Sequence, residues 1–84
     1  HNAAIIFKRA LGDGVIRRID GMDSLLQRYG GRIVHIELLP VGAHRRNWLA
    51  TLMSDGHVIV RHPDLESCLE IADRVGTDLQ IYAG

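Results

Sequence analysis

Several residue types are scarce in this chain, and each shortage excludes a class of protein. A single cysteine, Cys68, rules out an intramolecular disulfide and a zinc site built from several cysteines, which predicts a reducing, cytoplasmic location. One Phe, one Trp and two Tyr leave the core to aliphatic side chains. No apolar run reaches the roughly 18 residues of a membrane span, and the N-terminus lacks a signal-peptide pattern, so we expect neither membrane insertion nor export.

The formal net charge of the chain is zero, but basic and acidic residues are concentrated in different parts of the sequence. In residues 1–62, nine basic side chains face five acidic ones, a difference of +4; in residues 63–84, five acidic side chains face Arg74, a difference of −4. Such a dipolar molecule docks a charged partner at one end or associates head to tail with itself. A length of 84 residues indicates a single domain, residues 1–84.

Two amphipathic helices are predicted. The second begins with Pro63 as its first helical residue and ends at Gly76. Its predicted apolar arc consists of Leu65, Cys68, Leu69, Ile71, Ala72 and Val75. Its opposite side carries the acidic residues Glu66, Glu70 and Asp73. The earlier helix is capped by Asp20, ends at Gly30 and shares one apolar face among Met22, Leu25, Leu26 and Tyr29.

Strand signals fill most of the remaining chain. Asp55-Gly56 predicts a two-residue hairpin joining residues 47–54 to 57–61, with Met53 opposite Val58. The sequence also predicts strands over residues 32–39 and 78–83. Residues 3–19 allow either a helix that ends at Gly12 or a hairpin around residues 12–14, and their β-branched residues favour the hairpin. The predicted fold is α+β, a small, mostly antiparallel sheet with two short helices packed on one face.

Basic residues form the first candidate site. Lys8, Arg9, Arg17 and Arg18 would approach one another in the hairpin arrangement. In residues 44–48, arginines beside Trp48 could hold phosphates and stack a base. A solvated surface around a core tryptophan is the commoner interpretation, and a net charge near zero favours it.

The helix-strand-strand-strand-helix order of residues 22–75 resembles a double-stranded RNA-binding domain in topology. That family contacts phosphates from a lysine-rich start of its second helix. The matching residues here are Pro63-Asp64-Leu65-Glu66, so the resemblance does not carry RNA binding to this chain.

Histidines and the cysteine predict no catalytic, cofactor or metal site. The candidates are His35 with Glu37, His57 and His62, but His57 and His62 point to opposite faces of a regular strand. Cys68 lies on an apolar helix arc, where a thiol acts as a small hydrophobe.

We therefore predict a non-catalytic protein-binding module rather than an enzyme. The chain is short, has no catalytic or cofactor motif and carries two separated charged surfaces. In these general features it resembles the small inhibitor proteins of phages and mobile elements, such as anti-CRISPR proteins. This resemblance implies docking on a larger host protein or ribonucleoprotein complex. A homodimer is an alternative arrangement, and the alternative function is a nucleic-acid-binding accessory protein that uses the Arg/Trp loop. The predicted partner-binding residues are Arg45, Arg46, Trp48, Leu52, Ile59, Arg61, Glu66, Glu70 and Asp73.

Overall fold

A computed structural model describes residues 2–45 and 55–84 and confirms the predicted α+β class. In chain order the elements are β1 (Asn2–Lys8), β2 (Ile16–Asp20), α1 (Met22–Tyr29), β3 (Ile33–Leu38), β4 (Gly56–His62), α2 (Leu65–Asp78) and β5 (Gln80–Ala83). Across these described residues, neither helix has the length and apolar character needed to span a bilayer.

Strand β4 lies at the centre of the larger sheet, in the order β1-β4-β3, with both pairings antiparallel. Val58 and Val60 of β4 are almost fully buried. Strands β2 and β5 form a separate antiparallel pair. Ile16 and Ile81 are fully buried there beside Ala10, in a second, smaller core.

The predicted strand pairings are wrong, although several of the strands are correct. Val58 lies opposite Ile6 and Ile36, because β1 and β3 occupy both edges of β4. Its predicted partner, Met53, lies outside the described residues. The strand predicted over residues 47–54 lies outside the described residues. The helix considered for residues 3–11 is replaced by β1, and the β1–β2 hairpin does not form because each strand pairs with a partner from the C-terminal half. An alternating pattern indicates a strand but does not choose its neighbour.

Both helices contribute to a core on one face of the larger sheet. Its buried members are Leu25, Val58, Val60, Cys68, Ile71, Val75 and Leu79. The apolar arc predicted for α2 is too wide, because Leu65 and Leu69 are 56% and 55% exposed. Residues 68, 71 and 75 form the narrower stripe that meets β1 and β4.

The predicted helix ends also need correction. α2 begins at Leu65 rather than at Pro63, with Asp64 as its N-cap, and it continues through Gly76 to Asp78. α1 starts after Gly21, at φ 90°, rather than after a capping Asp20. A Cβ at Gly21 would overlap the carbonyl oxygen of Asp78, so glycine permits the close approach of these two chain segments.

Gly56 generates the first prediction. Its φ is 154°, and a Cβ there would lie 2.6 Å from the Cα of Leu38 in β3. Gly56→Val should therefore lower the free energy of unfolding by about 2 kcal/mol or more, through overlap with the neighbouring strand rather than loss of a hairpin turn.

Urea unfolding measures this change, and Gly76→Ala is the matched control. Gly76 lies inside α2, and among the described residues nothing beyond its chain neighbours and the local helix backbone comes within 4 Å of a Cβ placed there. That substitution should stabilise the protein by about 0.5 to 1 kcal/mol. A Gly56→Val variant with an unchanged midpoint would contradict the packing of β3 on β4.

Candidate functional site

The candidate site is the face of the larger sheet that the described helices do not cover, here called the outer face. Side chains alternate along a strand, so burial of Val58 and Val60 against the helices turns His57, Ile59 and Arg61 outward. The outer face comprises Ala3, Ile5, Phe7, His35, Glu37, His57, Ile59 and Arg61.

Apolar side chains on the outer face are unusually accessible. Phe7 is 68% exposed and Ile5 is 54% exposed. Ile5 lies opposite Ile59, and Phe7 lies opposite His57, so the two strands place these four side chains in adjacent rows. An apolar patch on a sheet, bordered by charged and polar groups, is typical of an interaction surface.

A histidine-carboxylate cluster borders this patch. His57 Nε2 lies 3.7 Å from Glu37 Oε2, and the rings of His57 and His35 are 5.4 Å apart between centroids. The Phe7 ring lies 6.1 Å from the His57 ring. One nitrogen from each histidine and one oxygen of Glu37 all lie within 4.8 Å of one another.

The convergence of these three residues is not predictable from the sequence alone. His57 and His62 point to opposite faces of β4, as predicted, and His62 Nδ1 accepts a hydrogen bond of 2.9 Å from the backbone N–H of Asp64. His35 and Glu37 reach His57 because Glu37 lies directly opposite it across the β3–β4 ladder. The His-x-Glu alternation on β3 was a usable signal, but its meaning depended on which strand lies beside it.

Among the predicted partner-binding residues, Ile59 and Arg61 lie on the outer face. Arg46, Trp48 and Leu52 lie outside the described residues. The predicted apolar surface around Ile59, His57 and Arg61 is therefore built in the structure with Ile5 and Phe7 as its described apolar neighbours.

The Arg45 side chain contacts other parts of the domain. Its Nη2 lies 2.9 Å from Asp55 Oδ2, and its Nη1 lies 3.2 Å from Asp13 and also donates to the carbonyl oxygen of Gly12. Asp55 is 4% exposed and accepts a further hydrogen bond of 2.6 Å from the N–H of Ala10. The hydrogen bond with Asp55 raises the pKa of Arg45. Phosphate binding by Arg45 would have to compete with these contacts.

The predicted basic cluster of residues 8, 9, 17 and 18 does not assemble as a hairpin, because β1 and β2 belong to different sheets. Lys8 is 8% exposed; its Nζ donates a 2.8 Å hydrogen bond to the carbonyl of Gly76, and burial lowers its pKa. Arg18 forms an ion pair with Asp20 at 2.9 Å and stacks over Tyr82 at 4.4 Å.

The acidic stripe is present as predicted on α2. Glu66, Glu70 and Asp73 are all exposed, and Leu65 and Leu69 are exposed beside them. At the start of this helix, Asp64 accepts hydrogen bonds of 2.9 Å and 2.8 Å from the N–H and hydroxyl of Ser67. These bonds lower the pKa of Asp64.

Comparison with known proteins supports the fold. No family model matches the chain, and no curated protein matches it closely. The solved structure of L-amino acid ligase from Bacillus licheniformis matches 98% of this chain with a TM-score of 0.69 and 20% sequence identity. The chain spans only 21% of the length of that ligase chain. At this identity the likeness shows a shared fold.

The Asp55–Arg45 pair generates a stability prediction. Asp55→Asn keeps the size of the side chain but removes the charge that faces Arg45, whose side chain is 20% exposed. We expect a loss of about 2 kcal/mol in the free energy of unfolding, measured with urea. The exposed ion-pair variant Asp20→Asn should change it by less than about 1 kcal/mol. Equal effects of the two substitutions would contradict the structural role of Asp55.

Asp64 generates a pH prediction. Its pKa in the folded state lies below the ordinary value of 3.8, so its stabilising effect is complete above that value and disappears as the pH falls through the folded-state pKa. Asp64→Asn retains a capping side chain but no titratable charge. Wild type should therefore melt at a higher temperature than Asp64→Asn at neutral pH, and the difference should disappear once the pH is below the lowered folded-state pKa of Asp64. A difference that persists in acid would exclude the charge as its source.

Proposed function

We propose that this chain is a non-catalytic protein-binding module that docks on a larger protein through its outer face. The observation that carries the proposal is the exposure of Phe7 and Ile5 beside Ile59 on a sheet whose opposite face is packed by helices. Burying exposed aromatic and aliphatic side chains is the main favourable contribution to protein association. Aromatic side chains, including Phe, are also enriched at the centres of protein interfaces.

The fold comparison favours a particular kind of partner. This chain matches nearly in full a portion that makes up about a fifth of a longer ligase polypeptide. A domain of this fold therefore occurs there together with a much larger body of protein. We propose a ligase-like protein as the partner, with the outer face as the contacting surface.

The non-catalytic part of the proposal is supported by the position of the thiol. Cys68 is 1% exposed, and its Sγ lies 3.6 Å from the carbonyl oxygen of Asn2 in the core. Such a buried thiol is not placed to attack a substrate. The cytoplasmic location stays a prediction from cysteine content.

Nucleic-acid binding and inhibition of a host complex remain predictions of the sequence. The contacts of Arg45 with Asp55 and Asp13 weigh against its use as a phosphate ligand. The inhibitor hypothesis shares the docking surface proposed here and differs in the partner.

A chimeric protein tests the docking proposal. This chain would replace the matching segment of the Bacillus licheniformis ligase, and thermal unfolding would be compared between the chimera and the isolated chain, each with and without the substitution Phe7→Glu. Phe7→Glu should leave the isolated chain within about 0.5 kcal/mol of wild type, because Phe7 is exposed there. In the chimera the same change should destabilise the docked domain by about 2 kcal/mol or more, because a charge would enter a buried interface.

Leu69→Glu is the matched control, since Leu69 is 55% exposed on α2, away from the outer face. If Leu69→Glu destabilised the chimera and Phe7→Glu did not, docking would lie on α2. That result would overturn the proposed surface. In a second measurement, the isolated chain would be titrated with mixed-sequence oligonucleotides at ~50 mM and ~200 mM salt. Tight binding that weakens steeply with salt would favour the nucleic-acid function over protein docking.

A further inference from the structure

We propose that His35, Glu37 and His57 form a binding site for a divalent transition-metal ion of the zinc type on the outer face. The two imidazoles and the carboxylate come from adjacent strands, β3 and β4. This inference does not rest on the docking function, because it concerns groups that already converge in the isolated chain.

The distances are close to those a metal would impose. Zinc holds nitrogen and oxygen ligands at about 2.1 Å, so two ligands of a tetrahedral site lie about 3.4 Å apart. His57 Nε2 and Glu37 Oε2 are 3.7 Å apart, and the three donor atoms lie within 4.8 Å of one another. Small side-chain rotations would bring them to bonding distance. The separation of 3.7 Å is, in contrast, longer than a hydrogen bond between His57 and Glu37.

The donor set selects the class of metal. Imidazole nitrogen is a preferred ligand of zinc, copper, nickel and cobalt, whereas magnesium and calcium prefer oxygen donors. Two imidazoles with one carboxylate match the three-ligand pattern in which zinc keeps a further position for water or another ligand.

The backbone holds the donors in place. Glu37 and His57 are direct cross-strand partners, and His35 lies opposite Ile59, the next outward residue along β4. Because β4 is paired on both edges, its register cannot slip without breaking two ladders. The Phe7 ring beside His57 further restricts the imidazole. The paired strands therefore fix the Cα positions of the three donors before a metal binds, so that only side-chain freedom is lost on binding.

Titration of the isolated chain with ZnCl2 by calorimetry tests the site. One Zn²⁺ should bind per chain, and His35→Ala and His57→Ala should each weaken binding by about tenfold or more, since even residues that merely orient metal ligands have effects of this size. Glu37→Gln should also weaken binding. Excess Mg²⁺ should not compete. The matched controls are His44→Ala and His62→Ala, because neither residue belongs to the cluster.

A second readout separates binding from folding defects. Co²⁺ added in place of Zn²⁺ reports its coordination by visible absorption, and Zn²⁺ should raise the melting temperature of wild type but not of His57→Ala. Unchanged zinc affinity in both His35→Ala and His57→Ala, with each variant folded as wild type, would overturn the proposal. Loss of binding in His44→Ala alone would overturn it as well, by moving the metal elsewhere.

Discussion

Burial of strand β4 is the constraint on which the rest of the structure depends. Val58 is 1% exposed and Val60 is fully buried. This burial requires a helix layer against one face of the strand and a neighbouring strand along each edge. A buried strand must satisfy its backbone hydrogen bonds, and here β1 supplies one ladder and β3 the other. The chain therefore pairs its first strand with its fourth, although the paired residues are 48 to 60 positions apart in sequence. The stripe of residues 68, 71 and 75 on α2 packs over this pair of strands.

An ion pair and a hydrogen bond hold the entry into β4. Asp55 is a buried carboxylate, and its charge is compensated by Arg45 and by the N–H of Ala10. These contacts connect the chain after β1, Arg45 after β3 and the start of β4. Arg45, which the sequence predicts as a partner-binding residue, also stabilises the domain itself, since an unpaired buried carboxylate would be costly.

Neither described helix covers the outer face, and both the proposed docking surface and the proposed metal site lie there. Ala4 and Ile6 of β1 pack against the core, whereas Ile5 and Phe7 lie on the outer face with the polar cluster of β3 and β4. A docking surface and a metal site on the same face are compatible, because a zinc ion with three protein ligands retains a position that another ligand can fill. The acidic stripe of α2 points away from the sheet and supplies a separate, charged surface.

Local sequence patterns were enough to predict α1, α2 and most of the strands. Residues 68, 71 and 75 repeat with the period of a helix, and the apolar-rich segments of β1 and β3 favoured strands, because secondary structure follows from the spacing of neighbouring residues. Those patterns also predicted the α+β class and the outward direction of Ile59 relative to Val58 and Val60. Helix ends were less accurate, since Pro63 and Gly76 are compatible with several boundaries.

Strand partners and the candidate site were decided by tertiary structure alone. The Asp55-Gly56 pair suggested a local hairpin, yet β4 pairs with β1 and β3, because alternation specifies which side of a strand is apolar and not which strand lies beside it. The same limit concealed the convergence of His35, Glu37 and His57, which are neighbours across a ladder rather than along the chain. By itself the sequence determined both helices, most of the strands and the faces of β4, because these follow from the spacing of neighbouring residues. Only long-range packing determined which outward side chains meet.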